Sequence, residues 1–289
     1  MTAPAARQSI QLGTHRVLYS VAGEGPAVFC YELPLNPFAR FGPLQTCLAD
    51  RFRTFVVDLR PVIAESNRQP PAEDLLDFLS GLSLGMADAL GAKRFAAVGS
   101  FMAGPLVMDM AVKAGDRVEG LALLGPLGTI SSPATPLLRF ITGFYRLPGV
   151  PTLLRIGLVK WFAEACDRYV LGPGRMRQIF YDLARAPVTF EDLYEMHKRP
   201  PNPHAHVALM WCIRNMKYAR VMSRLSEIRC PSLIVHGEDD EWVPVPYVDQ
   251  LHRRLPQSSL VLVPKTRHAP ELEEVDLVCR EIEGFLKFA

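Results

Sequence analysis

The chain has 289 residues, of which 49% are hydrophobic, and it carries 32 Lys and Arg against 30 Asp and Glu, for a net charge of +2 at pH 7. A chain of this length can bury a sizeable core, and so small a net charge argues against the strongly basic surface of a nucleic-acid-binding protein. The N-terminus lacks the apolar segment of a signal peptide, and no uninterrupted apolar run is long enough to cross a bilayer, so we expect a cytoplasmic protein without an integral membrane segment.

Strand and helix patterns alternate through the first part of the chain. Apolar runs bounded by turn residues predict strands, and apolar residues at three- and four-residue spacing predict helices. On this basis we predict strands at Arg16–Ala22, Ala27–Tyr31, Arg53–Leu59 and Val118–Leu124, and helices at Pro43–Phe52 and Ala72–Leu90. A further apolar run ends at Gly99, where a tight turn leads into a helix through Met110. Strands that alternate with helices need crossover connections, so the sheet should be mostly parallel.

The pattern changes between about residue 130 and residue 225. Strand patterns are missing there, and several amphipathic helical patterns follow one another, separated by prolines. Alternation then resumes, with strands predicted at Ser232–His236 and Ser259–Val263 and helices at Pro246–Leu255 and Val275–Phe288. We therefore predict a core of residues 1–129 and 226–289 and an all-helical insertion of residues 130–225.

The insertion contains a block, Pro136–Ala165, in which apolar side chains are interleaved with basic ones. A basic amphipathic helix can lie on a membrane surface, or it can pack its apolar face over a pocket. We favour the second role and expect a small to medium, largely apolar ligand. His204 and His206 are only two residues apart and have no companion ligands, so we predict surface residues and no metal site.

The six cysteines are widely scattered and show no spacing typical of a metal site. They are Cys30, Cys47, Cys166, Cys212, Cys230 and Cys279. In a cytoplasmic protein we expect them to be reduced and mostly buried.

The segment at residues 94–106 joins a strand to a helix through small residues. This arrangement resembles the nucleophile elbow of the α/β-hydrolase family, in which the bend reads Gly-x-nucleophile-x-Gly. Gly99 matches the first glycine and Ala103 stands for the second, so Phe101 occupies the position of the nucleophile. A phenyl ring cannot attack a carbonyl carbon. The resemblance therefore implies the fold with its usual nucleophile, a serine, replaced.

Further segments carry the same resemblance in the family's order along nearly the whole chain. They are the hairpin at Val21–Pro26, the run Asp58-Leu59-Arg60, the acidic loop Gly237–Pro244 and the histidine loop Leu262–Pro270. The resemblance implies an α/β-hydrolase fold, with helices on both faces of the sheet and a helical cap. It also implies that Asp240 is the acid and His268 the base of the family's triad. In such a pair the carboxylate fixes the imidazole tautomer and leaves Nε2 as a general base.

Ser100, beside the nucleophile position, has two interpretations. It could be a nucleophile displaced by one residue, but Val98 and Met102 stand where Gly-x-Ser-x-Gly spacing needs glycines. It could instead be a polar residue that forms local hydrogen bonds, and we favour this interpretation. The ring of Phe101 either shapes the pocket or plugs it.

The oxyanion-binding side also departs from the family pattern. Glu32 and Leu33 occupy the positions of the family's His-Gly, and Pro34, which follows, has no N–H to donate. The backbone N–H of Met102 and the N-terminus of the next helix remain as donors. An ionised Glu32 would oppose a developing oxyanion unless it is protonated, turned away or a solvated loop residue. The residues predicted to line the substrate site are Phe101, Ser100, Met102, Tyr31, Glu32 and Leu33.

Three functions fit these residues. The favoured one is an enzyme without an acyl-enzyme intermediate, in which His268 and Asp240 act as a general base on a small apolar carbonyl or phenolic compound. Elimination, isomerisation, cyclisation, cofactor-free oxygenation and direct attack by water are its possible reactions. The second is an inactive relative that binds a ligand or a protein partner. The third is an ester hydrolase that uses Ser100. We expect no cofactor, and the sequence leaves the oligomeric state open.

Overall fold

The structure is a computed structural model of the chain, and it describes residues 6–68, 71–127, 165, 168, 172–177, 182–184, 186, 188–198, 209, 211–213 and 215–286. Its centre is an eight-stranded sheet. The strands are β1 (Arg7–Leu12), β2 (His15–Ala22), β3 (Ala27–Leu33), β4 (Arg53–Asp58), β5 (Phe95–Phe101), β6 (Val118–Leu124), β7 (Ser232–Gly237) and β8 (Ser258–Val263).

The strands lie in the order β1-β2-β4-β3-β5-β6-β7-β8. The pairs β1–β2 and β2–β4 are antiparallel, and all the later pairs are parallel. The predicted mostly parallel sheet is confirmed. Because parallel strands end at the same edge of a sheet, the loops after β3, β5, β6, β7 and β8 meet there, where ligands bind in open α/β sheets.

Helices cover both faces of this sheet. The described helices are α1 (Pro37–Leu48), α2 (Arg60–Arg68), α3 (Leu75–Ala89), α4 (Ala103–Ala114), α5 (Pro173–Arg175), α6 (Phe190–Lys198), α7 (Tyr218–Met222), α8 (Val245–Arg254), α9 (Pro270–Glu273) and α10 (Val275–Leu286). Short 3-10 turns lie at Gly115–Arg117 and Leu225–Glu227. Within the described part of the chain, no helix is long and apolar enough to span a membrane.

The two-residue alternation of the strands sorts the core into two layers. Phe29 and Tyr31 of β3 belong to the layer that contains α3 and α4, whereas Val28 and Cys30 belong to the layer formed with α1 and α10. In β5, Ala97 faces the first layer and Val98 the second. These two layers give the predicted α/β architecture, with helices on both faces.

Several predicted boundaries need correction. The helix predicted from Pro43 begins six residues earlier, at Pro37, and Pro43 lies inside it. Strand β1 and helix α2 were not predicted, because neither has a clear apolar pattern: the residues of β1 are mostly exposed. Helices α5, α6 and α7 lie within the predicted insertion. All of Pro136–Ala165 except Ala165, together with His204 and His206, lies outside the described residues.

The prediction that all cysteines are reduced is wrong for two of them. Cys47 of α1 and Cys279 of α10 form a disulfide, with Cα atoms 6.3 Å apart and a sequence separation of 232. The error arose because pairing depends on two helices packing side by side, which spacing along the chain does not show. Cys30, Cys212 and Cys230 are free and buried, as predicted. Cys166 lies outside the described residues.

Candidate active site

The turn between β5 and α4 places Phe101 at the carboxyl end of the sheet. Phe101 has a φ of 47°, in the left-handed region that bulky residues avoid. The close packing of strand against helix requires Gly99, since a Cβ there would lie 2.6 Å from the carbonyl oxygen of Ala103. Phe101 therefore occupies the tip of a sharp, strained strand-to-helix bend.

Asp240 and His268 come together from the loops after β7 and β8. His268 Nδ1 lies 2.9 Å from Asp240 Oδ2. Asp240 Oδ1 accepts hydrogen bonds from the backbone N–H groups of Trp242 (2.8 Å) and Val243 (2.9 Å), which fix the carboxylate. With Nδ1–H donated to Asp240, the Nε2 atom of His268 carries the lone pair, and the ring can accept a proton there.

Asp240 stays ionised although it is buried. Burial raises its pKa, but the charge and hydrogen bond of His268 and the neighbouring His236 together bring the pKa below its usual 3.8. His236 lies beneath the pair, with Nε2 2.7 Å from the carbonyl oxygen of Val243 and 3.7 Å from Asp240 Oδ2. Burial lowers the pKa of His236, which favours the neutral form of this imidazole beside the carboxylate of Asp240.

Aromatic rings surround the imidazole. The ring of Phe101 meets His268 edge to face, with centroids 4.7 Å apart. The half-buried indole of Trp242 lies 6.2 Å from both rings. His268 is only 2% exposed. The imidazole of His268 thus sits in apolar surroundings, which suit an apolar ligand.

The hydroxyl of Ser100 does not contact this imidazole. It donates a 2.6 Å hydrogen bond to Glu271 of α9, on the sheet face covered by α1. Ser100 and Phe101 are consecutive in a strand, so their side chains point to opposite faces. This favours the interpretation of Ser100 as a local hydrogen-bonding residue and places it away from the predicted substrate site.

Glu32 lies with Ser100, Glu271 and Arg40 in a buried polar group. It pairs with Ser100 in the register of β3 and β5. The guanidinium of Arg40 contacts both Glu271 and Glu32, with Nε 3.4 Å from Glu32 Oε2. Glu32 is 1% exposed, so its interpretation as a solvated loop carboxylate is wrong. Burial, opposed by Arg40 and reinforced by Glu271, raises the pKa of Glu32 to about 8. A pKa of about 8 favours the protonated form of Glu32 at neutral pH, and the side chain is turned toward Arg40, away from the imidazole of His268.

The other residues predicted to line the site fall into two groups. Leu33 lies beside Phe101 in the strand register, and Met102 caps the N-terminus of α4, so both lie next to the bend. Tyr31 is fully buried in the core layer beneath, where burial raises the pKa of its hydroxyl. Leu33 and Met102 are equally buried, so the role of all three residues in lining the site stays a prediction.

One group of described residues has the spacing of a metal site, namely Cys47, Cys279 and Glu283. Both sulfur atoms are engaged in the disulfide and are not thiolate ligands. This group lies between α1 and α10.

Four residues around the site were not predicted from the sequence to belong to it: Arg40, Trp242, Glu271 and Glu273. Glu271 and Glu273 follow the histidine loop closely, in a run of acidic residues that looks like a solvated helix start. Arg40 is separated from Glu271 by 231 positions, so only the folded chain shows that they meet. Trp242 could have been predicted to lie near the site, since it stands two residues after Asp240 in the acidic loop.

Comparison with known proteins gives a consistent family. A family model described as alpha/beta hydrolase fold matches residues 35–275. The chain is 25% identical over 206 residues to a 2-hydroxy-6-oxo-6-phenylhexa-2,4-dienoate hydrolase of Burkholderia cepacia, across 70% of this chain and 66% of that protein. It is 27% identical over 274 residues to a pimeloyl-acyl-carrier-protein methyl ester esterase of Vibrio atlanticus, across 92% of this chain and 96% of that protein.

A similar solved structure is the enol-lactonase from Burkholderia xenovorans. The two structures have a TM-score of 0.71 and 18% sequence identity, with 97% of this chain and 100% of that one covered. At this identity the likeness establishes the fold alone.

Proposed function

Because the chain belongs to the alpha/beta hydrolase fold family, we propose that it is an enzyme of this family in which His268, oriented by Asp240, acts as a general base on a small to medium, largely apolar molecule. No serine acyl-enzyme forms in this reaction, and no cofactor takes part. We further propose the predicted division of the chain, with residues 1–129 and 226–289 as the core and residues 130–225 as a helical cap over the site.

One observation supports this proposal above the others: His268 contacts Asp240 on one side and the ring of Phe101 on the other. His268 and Asp240 are 2.9 Å apart at their bonding atoms, and the phenyl ring of Phe101 meets the imidazole. The nearby hydroxyl of Ser100 is bonded to Glu271 on the opposite face. Proton transfer to His268 needs none of the missing nucleophile chemistry.

The proton follows a short path. The lone pair on Nε2 of His268 takes a proton from the bound molecule or from water, and the imidazolium is stabilised by Asp240 through Nδ1–H. The N-terminus of α4, with the backbone N–H of Met102, faces the negative charge that develops on the substrate. Pro34, after β3, supplies no second N–H. A protonated Glu32, turned toward Arg40, does not oppose this charge.

The relatives favour hydrolysis among the reactions open to such a base. The two curated relatives described above are named as a hydrolase and an esterase. In this chain the corresponding reaction is attack by a water molecule that His268 deprotonates. Elimination, isomerisation, cyclisation and cofactor-free oxygenation use the same base and remain within the proposal.

The test combines a nucleophile probe with a base variant. The wild-type protein should resist a fluorophosphonate, and His268→Ala should reduce turnover by about 10²–10⁴-fold, the contribution of a positioned base. Turnover is first sought with a panel of aryl esters, enol lactones and ring-cleavage dienoates. Stoichiometric labelling of Ser100 would contradict the proposal and restore the ordinary esterase.

A second function is supported by the burial of His268. An imidazole that is 2% exposed and packed by Phe101 suits a binding site as well as a base. Under this second proposal the chain binds an apolar ligand without turnover. Equal ligand affinity in wild type and His268→Ala, measured by calorimetry with no product formed, would favour binding over catalysis.

The disulfide bears on the location of the protein. Disulfides persist mainly in oxidising compartments, so the Cys47–Cys279 bond argues against the expected cytoplasmic location. We propose that the protein works where this bond remains oxidised. Thiol labelling of protein extracted under acid quench should then find Cys47 blocked.

A further inference from the structure

The carboxylate of Glu273 accepts three hydrogen bonds from backbone N–H groups. Its Oε2 accepts from Arg267 (2.8 Å) and from Asp182 (3.0 Å), and its Oε1 accepts from Ala269 (2.9 Å). Arg267 and Ala269 are the residues immediately before and after His268. A single side chain thus holds the backbone on both sides of the proposed base.

The surroundings of Glu273 make these bonds strong. The residue is 4% exposed, and a buried carboxylate is costly unless its oxygens are hydrogen-bonded. Burial raises the pKa of Glu273, while the N–H groups of Arg267, Ala269 and Asp182 oppose that rise. These bonds are therefore costly to break, because each loss leaves a buried polar group without its partner.

The carbonyl group of His268 is held from the other side. Arg40 Nη2 donates to this oxygen at 3.2 Å, and the same guanidinium contacts Glu271. Glu271 and Glu273 both belong to α9, the four-residue helix that follows the histidine loop. The loop is therefore fixed at the N–H groups next to His268 and at its own C=O.

Glu273 also connects this loop to the long segment between β6 and β7. Asp182 belongs to that segment and gives its N–H to the same oxygen that binds Arg267. A second link joins the two parts, because Arg267 Nη1 donates to the carbonyl oxygen of Arg177 at 2.7 Å. Movement of Arg177 and Asp182 would pull on the backbone next to the base.

We infer that Glu273 is the positioning residue for His268: it sets the imidazole against Asp240 and makes that setting depend on the docking of Asp182. The inference rests on the proposed role of His268 as the base. Glu273 itself touches no reacting atom. It acts through the backbone, and its loss should change the state of the imidazole in a protein that remains folded.

The test uses three variants of the full chain and needs no substrate. Glu273→Gln keeps the shape but replaces one acceptor oxygen with an NH2 group, which must face at least one of the three N–H donors. Glu273→Asp keeps both acceptors on a shorter arm. Asp276→Asn, in the first turn of α10, removes an exposed carboxylate three residues away as the matched control.

The readouts are amide hydrogen exchange at Arg267, Ala269 and Asp182, and the NMR signals of the His268 ring. In Glu273→Gln we expect exchange at Ala269 to accelerate about tenfold or more. The Nδ1–H resonance of His268 should broaden as its hydrogen bond to Asp240 loosens. Glu273→Asp should restore part of each change, and Asp276→Asn should cause none.

Two results would overturn the inference. One is a folded Glu273→Gln protein with unchanged His268 signals, and the other is an equal effect from Asp276→Asn. If Glu273→Gln fails to fold, the same signals are read in Glu273→Asp, where an absent change likewise contradicts the inference. Because these signals do not depend on turnover, they stand apart from the His268→Ala test, whose failure would remove the proposed function alone.

Discussion

Phe101 combines a strained backbone with a buried ring. A positive φ costs a bulky residue on the order of 1–3 kcal/mol, and burial of its phenyl group contributes about 1.5–3 kcal/mol. The two terms nearly offset one another. A smaller residue here would keep the strained φ and lose the buried ring, so we expect Phe101 variants to fold with a stability lower by about 1.5–3 kcal/mol.

Phe101→Ser should convert the bend into a nucleophile elbow. The new hydroxyl would stand next to His268, whose ring now lies 4.7 Å from the phenyl centroid. We expect fluorophosphonate labelling to rise by about a hundredfold over wild type, the lower end of what a positioned base contributes. Mass spectrometry of the labelled peptide measures this gain and assigns it to position 101.

Phe101→Ala is the control for that experiment, because it opens the same space without a hydroxyl. It should remain unlabelled. Labelling of Phe101→Ala at Ser100 would show that the phenyl ring merely shields an active serine, and the assignment of Ser100 to the polar group with Glu271 would fail.

At the scale of elements, the sequence predicts the strands and helices that have a clear apolar periodicity. Strands β3 to β8 were predicted because their apolar runs are continuous and bounded by turns. Helix α1 was predicted to begin at Pro43, whereas Pro37 holds the first-turn position. It follows the N-cap Asn36, whose side chain accepts a hydrogen bond from the backbone N–H of Phe38. Pro43 inside α1 and the mostly exposed edge strand β1 do not match the local sequence pattern. Their structure depends on tertiary packing.

The candidate site divides in the same way. Asp240, His268 and Phe101 could be placed from motif spacing, because each lies at the end of a predicted strand or in the loop that follows one. The cluster of Arg40 and Glu271 could not, since it joins distant parts of the chain. The burial of Glu32 followed from the strand register, which sequence spacing leaves uncertain by one residue.

The disulfide between α1 and α10 should contribute measurably to stability. A bond that closes a loop of this length removes conformational entropy from the unfolded chain, and its loss costs about 2–5 kcal/mol. We expect Cys47→Ser to lower the free energy of unfolding in urea by this amount. Reductant should lower the stability of wild type to the same level and leave Cys47→Ser unchanged.

Cys230→Ser serves as the matched control, since this buried thiol lies outside the disulfide. Its stability should still fall on reduction. Equal urea midpoints for oxidised and reduced wild type would mean that the two helices hold together through their apolar contacts alone.

At the scale of the whole molecule, buried ionisable groups near the site make stability depend on pH. The folded-state pKa of His236 lies below its usual 6.5 because of burial, so the stability it permits is lost as pH falls below 6.5. Asp240, with a pKa below 3.8, adds a further loss in stronger acid as its pair with His268 is protonated.

Glu32 acts in the opposite direction. Its folded-state pKa of about 8 lies above the usual 4.5, so the folded chain holds this proton more tightly than the unfolded chain does. The resulting stability is fully present below pH 4.5 and is lost as pH rises to about 8. Above pH 6.5, where His236 no longer contributes, Glu32 alone among these three groups sets the slope.

Glu32→Gln should therefore flatten the alkaline side of the stability profile. The neutral amide keeps the size of the protonated carboxyl group, and it needs no proton to remain beside Glu271. We expect the variant to gain stability relative to wild type between pH 6 and pH 9, by an amount on the order of a few kcal/mol, as urea unfolding at several pH values would measure. Glu24→Gln, which removes an exposed carboxylate, should leave the profile as it is. A wild-type stability that stays level from pH 6 to pH 9 would mean that Arg40 compensates the ionised Glu32 fully, and the proton assigned to this carboxyl group would then be absent at neutral pH.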